Sequence, residues 1–244
     1  MKSILVTGAS AGIGAAVADV FLEAGWRVGL LARRADALEQ VAAGRPGAVV
    51  LPCDVTDARA VDAAFDSFAG VAGRLDVLFN NAGSFGTPGL IDEVSPEDWR
   101  ALVEVNLTGM FLCARAAFGR MRRQRPMGGR IINNGSVSAH APRREAVGYT
   151  ATKHAITGLT KQLSLDGRAF DIACGQIDIG NARTDLLEGI ATRAAAADPG
   201  AAPPPMMEVG DVARAVLHMA GLPPEANVQF LTIMATKMPF VGRG

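Results

Sequence analysis

Two side chains with complementary proton chemistry stand four residues apart in the second half of the chain. Tyr149 and Lys153 form a Y-x-x-x-K pair in a segment, residues 147 to about 165, whose apolar spacing predicts a helix. Residues four apart share a helix face, so a phenol and an ammonium can approach one reacting group. A nearby cation lowers the pKa of a phenol from its ordinary value of about 10. The pair is therefore typical of a proton donor tuned towards neutral pH, and Tyr149 is the chain's only tyrosine.

A glycine-rich turn lies at the other end of the chain, in the sequence Thr7-Gly8-Ala9-Ser10-Ala11-Gly12-Ile13-Gly14. It follows a predicted first strand and opens a predicted first helix. Glycine lets the backbone turn tightly and approach a pyrophosphate without a Cβ in the way. A helix N-terminus adds free N–H groups and a partial positive charge. The alternative is an ordinary tight turn, but the position between strand and helix favours a dinucleotide site.

The end of the second predicted strand bears on which dinucleotide would bind. NAD-specific enzymes place a carboxylate there to hold the ribose 2′-hydroxyl, whereas this strand ends Ala32-Arg33-Arg34. An arginine can form paired hydrogen bonds with a 2′-phosphate, which a carboxylate would repel. The alternative is that both arginines form a solvated helix start, where cations oppose the helix dipole. The sequence therefore predicts NADP(H).

These residues need a scaffold that brings distant parts of the chain together. Short β-like runs alternate with helical patterns, which predicts βαβ units and a parallel sheet. The predicted strands are residues 3–7, 27–32, 48–52, 76–80, 130–134, 172–177 and 228–235. Right-handed crossovers then predict an α/β, doubly wound (Rossmann-type) fold with a mostly parallel seven-stranded sheet, helices on both faces, and a ligand at the strands' carboxyl ends. No domain boundary is visible, so residues 1–244 form one predicted domain.

The glycine loop and the Y-x-x-x-K pair resemble the T-G-x-x-x-G-x-G and Y-x-x-x-K motifs of the short-chain dehydrogenase/reductase family, in its compact single-domain branch. The resemblance spans about residues 3 to 235. It implies an NADP(H)-dependent oxidoreductase that transfers a hydride between nicotinamide C4 and a carbonyl or secondary alcohol carbon of a small-molecule substrate.

The same resemblance implies a role for each catalytic residue. Ser136, in Gly135-Ser136-Val137-Ser138, would hydrogen-bond the substrate oxygen, and Tyr149 would donate the proton. Lys153 would tune Tyr149 and hold the cofactor ribose. Asn106 would be the fourth catalytic residue and anchor a water that links Lys153 to solvent. An asparagine on an apolar helix face is otherwise costly, which favours a buried polar role.

The family pattern also implies a set of cofactor contacts along the whole cleft. Ser10 would lie near the adenosine ribose, and Asp54 would contact the adenine. The implied set comprises Gly8, Ser10, Gly12, Ile13, Gly14, Arg33, Arg34, Asp54, Val55, Asn81, Ala82, Gly83, Tyr149, Lys153, Ile179, Gly180 and Thr184. Ile179 departs from the family pattern, which has a proline there to fix φ in the loop that meets the nicotinamide. The shape of that loop therefore does not follow from the resemblance.

The substrate side of the site is predicted from position alone. Ser138, the rival of Ser136, is expected to line the substrate pocket together with His140, Arg143 and Arg144. The segment 185–205 is rich in alanine and proline, cannot bury much surface, and is predicted to be a mobile lid. The family resemblance further implies a homotetramer or homodimer. None of this identifies the substrate.

Composition restricts the other function classes. Hydrophobic residues make up 49%, charged residues 20%, and the formal net charge is +0, which is typical of a globular protein without a global field for nucleic acid or an anionic membrane. No apolar run approaches the ~20 residues that cross a bilayer, and no signal peptide is recognised, so a cytoplasmic location is expected. The three cysteines and three histidines lack metal-ligand spacing, so no metal site is predicted.

Two other functions remain as alternatives. A non-catalytic NADP(H)-binding redox sensor could use the same fold, but it could lose Ser136, Tyr149 or Lys153, and all three are present. An epimerase or dehydratase of the family's extended branch would need a substrate domain, for which the C-terminal portion leaves little room.

Overall fold

The computed structural model describes residues 1–184, 187–189 and 203–241. Strands and helices alternate through this part of the chain. The strands are β1 Ser3–Thr7, β2 Arg27–Ala32, β3 Ala48–Pro52, β4 Val77–Asn80, β5 Gly129–Asn134, β6 Ile172–Ile179 and β7 Phe230–Ile233. The α-helices are α1 Gly12–Glu23, α2 Ala35–Ala42, α3 Ala58–Ala72, α4 Pro96–Val103, α5 Gly109–Arg123, α6 Val147–Gly167 and α7 Val209–Gly221.

The seven strands form one sheet in the order β3-β2-β1-β4-β5-β6-β7. Every neighbouring pair is parallel, so the sheet is parallel throughout. The strand order reverses between β1 and β4, and such a switch point opens a crevice at the strands' carboxyl ends. The predicted Rossmann-type fold is confirmed.

Helices cover both faces of the sheet because successive strand side chains point to opposite sides. Ile4 of β1 belongs to the core under α1 and α7, where Phe21 and Val212 are fully buried. The next residue, Leu5, belongs to the core under α3 and α5, with Phe65. The cleft therefore rests on a sheet with a packed core on each side.

Strands β6 and β7 differ by more than one residue from the sequence prediction. β6 continues to Ile179, two residues beyond its predicted end at 177, because Ile179 pairs with Ile233 of β7. β7 is shorter than predicted and spans only Phe230–Ile233. Strand pairing thus fixes these ends more closely than apolar patterning does.

One long helical stretch runs from Pro96 to Arg123. Its predicted start is confirmed, since Ser95 Oγ accepts a hydrogen bond of 3.0 Å from the Asp98 amide. A π-helical turn, Glu104–Thr108, separates α4 from α5. Of the helices in the described part of the chain, this 28-residue stretch is the one long and apolar enough to cross a bilayer, with a mean hydropathy of 1.4 in its most apolar window. Half of that window is buried inside the protein, and a core helix passes the same test, so the feature is weak evidence for a membrane span.

Candidate active site

A single cleft of about 460 Å³ follows the carboxyl ends of the strands. It begins at Arg33 and Arg34 beyond β2, passes the glycine loop beyond β1, and reaches α6. The predicted site residues that line it are Gly8, Ser10, Gly12, Ile13, Gly14, Arg33, Arg34, Asp54, Val55, Asn81, Ala82, Gly83, Ser136, Arg143, Tyr149, Lys153, Ile179, Gly180 and Thr184. The fold thus brings together every predicted cofactor residue with the Ser136, Tyr149 and Lys153 set.

The glycine loop has the backbone geometry that an anion site requires. Gly8 and Gly12 have φ values of 67° and 54°, in the left-handed region that favours glycine. No side chain caps the first turn of α1, so its N–H groups remain available to an anion. Gly14 has a different role, because a Cβ there would lie 2.1 Å from the carbonyl oxygen of Gly8. Gly14 lets α1 pack against the loop.

Polar side chains tie the strand ends together at the switch point. Thr7 Oγ1 accepts hydrogen bonds from the amides of Asn81 and Ala82, at 2.8 and 2.9 Å. Asn81 donates through Nδ2 to the Thr7 carbonyl at 2.9 Å. Asn134 Nδ2 in turn donates to Asn81 Oδ1 at 2.8 Å. The carboxyl ends of β1, β4 and β5 are therefore held in fixed relative positions beneath the cleft.

The end of the cleft beyond β2 carries positive charge. Ala32 ends β2, and Arg33 and Arg34 follow it. Asp54 is the one carboxylate among the described lining residues, and its Oδ1 accepts hydrogen bonds from the Thr56 amide and hydroxyl, at 2.9 and 2.8 Å. The Thr56 amide, and less strongly the Arg33 guanidinium, lower the pKa of Asp54. The end of β2 is thus followed directly by two cationic side chains.

Lys153 projects from α6 into the end of the cleft that also contains Tyr149 and Ser136. Its Nζ donates a 2.8 Å hydrogen bond to the Asn134 carbonyl and lies 5.6 Å from the centre of the Tyr149 ring. Burial lowers the pKa of Lys153 to about 8, although the nearby Asp178 carboxylate acts in the opposite direction. Lys153 therefore titrates within the range in which enzymes are assayed.

Tyr149 differs from the sequence prediction in one respect. The sequence predicts a lowered pKa for the Tyr149 phenol. In the protein alone this prediction is wrong, because burial raises the pKa of the phenol. The hydrogen bond with Ser136 and the charge of Arg143 act in the opposite direction but are weaker. The Phe85 ring, centred 4.6 Å from the Tyr149 ring, contributes to the apolar surroundings. The phenol is thus kept in its protonated, proton-donating form.

Asn106 lies within the π-helical turn and does not line the cleft. Its Oδ1 accepts from the Ser84 amide and its Nδ2 donates to the Ser84 carbonyl, both at 2.8 Å. Nδ2 also lies 3.4 Å from Thr152 Oγ1. Asn106 therefore connects the loop after β4 to α6, and its expected buried polar role is confirmed, while its catalytic role stays a prediction.

The four residues predicted on the substrate side separate into two groups. Arg143 lines the cleft and donates to Asn181 Oδ1 at 2.5 Å. Ser138 is fully buried with its amide donating to Ser136 Oγ at 3.1 Å, His140 bonds Asp178, and Arg144 is exposed. These last three do not line the cleft in the described part of the chain. Most of the predicted lid, 185–205, lies outside the described residues.

The loop after β6 is held without the family's usual proline. Ile179 is paired as a strand residue, and the Gly180 amide donates to the Ile233 carbonyl at 2.8 Å. Further on, Asn181 Nδ2 donates to the Pro205 carbonyl at 3.1 Å. Sheet pairing and side-chain hydrogen bonds thus fix the start of this loop.

Sequence reasoning missed Asn134 and Asp178. Asn134 lines the cleft and supplies the carbonyl that accepts from Lys153. Asp178 is buried directly behind Ser136, whose amide donates to it. The signal for Asp178 was a lone acid in an apolar strand, since carboxylates are almost never fully buried unless paired. The three cysteines are buried and unpaired, as predicted.

Comparisons with known proteins agree with this geometry. The short chain dehydrogenase family profile matches residues 2–195. The chain is 38% identical over 204 residues to an L-fucose dehydrogenase of Oryctolagus cuniculus, which covers 82% of this chain and 69% of that protein. It is 31% identical to dehydrogenase/reductase SDR family member 11 of Gallus gallus, over 96% of this chain and 95% of that one.

Solved structures share the whole architecture. A closed form of serine dehydrogenase complexed with NADP+ superposes with a TM-score of 0.88 at 25% identity, covering 99% of this chain and 98% of that chain. A 3-ketoacyl-(acyl-carrier-protein) reductase from Brucella melitensis complexed with NADH gives 0.87 at 25% identity, covering 98% of each chain. The chain belongs to the short-chain dehydrogenase/reductase family of nicotinamide-dependent oxidoreductases.

Proposed function

We propose that this protein is an NADP(H)-dependent oxidoreductase that interconverts a carbonyl group and a secondary alcohol on a small molecule. One observation carries the proposal. A single cleft has two arginines at one end, where NAD-specific enzymes have a carboxylate, and Ser136, Tyr149 and Lys153 at the other. A dinucleotide that spans it would join phosphate recognition to acid–base chemistry.

The residues of the cleft would hold this cofactor in three places. Arg33 and Arg34 would bind the 2′-phosphate through charge-assisted hydrogen bonds. The uncapped N-terminus of α1 would bind the pyrophosphate, and Lys153 would hold the nicotinamide ribose. When bound, the nicotinamide supplies or accepts the hydride at the reacting carbon.

The chain's own groups supply the proton chemistry. Ser136 Oγ already accepts from the Ser138 amide, which orients the hydroxyl to donate to a substrate oxygen. In the reductive direction Tyr149 gives its hydroxyl proton to that oxygen, which becomes the alcohol. The Lys153 ammonium stabilises the phenolate that remains, because an opposite charge nearby favours the ionised form.

Cofactor choice is tested by binding titrations. Arg33→Ala should weaken NADPH binding about ten- to a hundredfold, as expected for a lost charge-assisted contact. Combining it with Ala32→Asp should turn the preference to NADH. Arg59→Ala, at an exposed arginine of α3 that does not line the cleft, is the matched control and should change neither affinity. Tighter binding of NADH than NADPH by the wild-type protein would refute the proposal for NADP(H).

Turnover is tested by NADPH consumption against a carbonyl panel. The panel contains oxidised sugars, steroid ketones and 3-ketoacyl thioesters, because relatives and structural neighbours carry the names of such enzymes. NADPH oxidation that requires both substrate and Tyr149 supports the proposal. Tight NADPH binding without turnover on any class would favour the redox sensor instead.

A further inference from the structure

The buried carboxylate of Asp178 lies next to Ser136 but does not line the cleft. The Asp178 side chain is 1% exposed at the end of β6. Its Oδ1 accepts from the Ser136 amide at 3.0 Å and from Gln176 Nε2 at 2.7 Å. Its Oδ2 lies 2.8 Å from Nε2 of His140, whose side chain is 45% exposed. Both carboxylate oxygens are therefore hydrogen-bonded, one of them to the backbone of a catalytic residue.

Gly135 provides the space that this carboxylate occupies. A Cβ at Gly135 would lie 2.1 Å from Asp178 Oδ1 and 2.6 Å from Gln176 Nε2. Neither atom could keep its place beside a larger residue. The absence of a side chain at Gly135 thus lets Asp178 reach the Ser136 amide.

Titratable side chains from two neighbouring elements lie close to this carboxylate. Lys153, from α6, donates to the carbonyl of Asn134, whose strand partner Ile177 directly precedes Asp178, and the Asp178 carboxylate acts to raise the pKa of Lys153. His140 bonds Asp178 from the turn after the short 3-10 helix Val137–Ala139. Tyr149 and Arg143 line the same cleft, and the charge of Arg143 acts on the Tyr149 phenol. A buried carboxylate is costly unless it is paired and hydrogen-bonded. Asp178 is hydrogen-bonded through both oxygens and also interacts electrostatically with the active-site lysine.

We propose that Asp178 is a positioning residue of the active site, which fixes the Ser136 backbone and holds the ammonium charge of Lys153, with His140 as its partner on the solvent side. Burial alone favours the neutral amine at Lys153, and Asp178 opposes this. The lysine thereby keeps its charge beside Tyr149 over a wider pH range. The catalytic consequence rests on the proposed function, but the effect on the charge of Lys153 does not.

The direct test is a titration of the lysine side chains by NMR. The chain has four lysines, Lys2, Lys153, Lys161 and Lys237, so the Lys153 signal can be assigned by its loss in Lys153→Met. The wild-type signal should titrate near pH 8. Asp178→Asn keeps the shape and the acceptor for the Ser136 amide but removes the charge, so the midpoint should fall by about one pH unit or more.

The matched control is Asp76→Asn. Asp76 is also a partly buried, hydrogen-bonded carboxylate, but it lies just before β4, at the amino ends of the strands and opposite the cleft, beside Ser3 and Arg74. The Asp76→Asn substitution should leave the titration midpoint of Lys153 unchanged. If Asp178→Asn does not fold, Asp178→Ser retains a hydroxyl acceptor in a smaller side chain and carries the same expectation.

The pH profile of kcat gives the functional readout. In Asp178→Asn the alkaline limb should move to lower pH together with the Lys153 midpoint, while the KM for NADPH at pH 7 changes less than kcat. An unchanged Lys153 midpoint overturns the proposal. The proposal is also overturned if Asp178→Asn has a lower melting temperature but the wild-type pH profile of kcat, because that result indicates a merely structural role. Absence of turnover by the wild-type protein would refute the proposed function. The NMR titration would then decide the proposal about Asp178 by itself.

Discussion

The phenol of Tyr149 is the group on which the proposed chemistry depends. Tyr149→Phe removes one hydroxyl and keeps the ring that packs on Phe85. The reduction rate should fall by ~10²–10⁴-fold, the usual contribution of general acid–base catalysis, whereas NADPH affinity and the melting temperature should stay close to wild type. Steady-state kinetics and thermal melting check both parts. A fully active variant would require a different proton donor.

The titration of Tyr149 can be read directly because no other tyrosine exists. Burial raises the pKa of the phenol, so an ultraviolet difference titration of the protein alone should give a midpoint above the ordinary value of about 10. Arg143→Gln should raise it further, since the Arg143 charge lowers it. Arg144→Gln, at an exposed neighbour that does not line the cleft, should leave it in place. A wild-type midpoint below 10 would contradict this account.

Among individual residues, those that belong to a local motif could be predicted from the sequence. Tyr149, Lys153 and the glycine loop were found because helix spacing and turn chemistry are local properties. Asp178 was missed because its role depends on a neighbouring strand and on the space at Gly135, which spacing along the chain does not reveal. The sign of the Tyr149 shift was also beyond the sequence, since the extent of burial depends on packing.

The junction of β1 with α1 allows a test with two glycines of opposite character. Gly14→Ala would place a Cβ 2.1 Å from the Gly8 carbonyl oxygen, whereas a Cβ at Gly70 in α3 would meet nothing within 4 Å. Gly14→Ala should destabilise the protein by about 1–3 kcal/mol through overpacking and weaken cofactor binding. Gly70→Ala should stabilise it by roughly 0.5–1 kcal/mol through helix propensity. Chemical denaturation measures both, and a neutral Gly14→Ala would refute the packing role.

Helix and strand types were predictable at the element scale, but several ends were not. The start at Ser95 carried its own capping signal and is confirmed. The π-helical turn at Glu104–Thr108 had no such signal, although it positions Asn106. The end of β6 was placed too early because its pairing with β7 involves residues more than 50 positions apart.

The assembly of the whole molecule stays a prediction, and the structure suggests where to test it. Phe111 on α5 and Leu165 on α6 are 48% and 55% exposed, and apolar side chains on helix faces suit symmetric interfaces. Light scattering should return a particle of two or four times 25.3 kDa. Phe111→Glu should shift it towards the monomer if α5 contributes to the interface, while Arg59→Glu, at an exposed position of α3, should not. A wild-type particle of 25.3 kDa at micromolar concentration would refute the oligomer.

The support of the catalytic groups differs from that of the wall opposite them. Ser136, Tyr149 and Lys153 are held by a sheet, a long helix and a buried carboxylate. By contrast, the described residues that follow β6 and line the cleft, beginning at Gly180, are held partly by their own side chains. We expect mutations that accumulate after Gly180 to reshape this side of the cleft without moving Tyr149. A duplicated gene could in this way acquire a new substrate while it inherits the reaction unchanged.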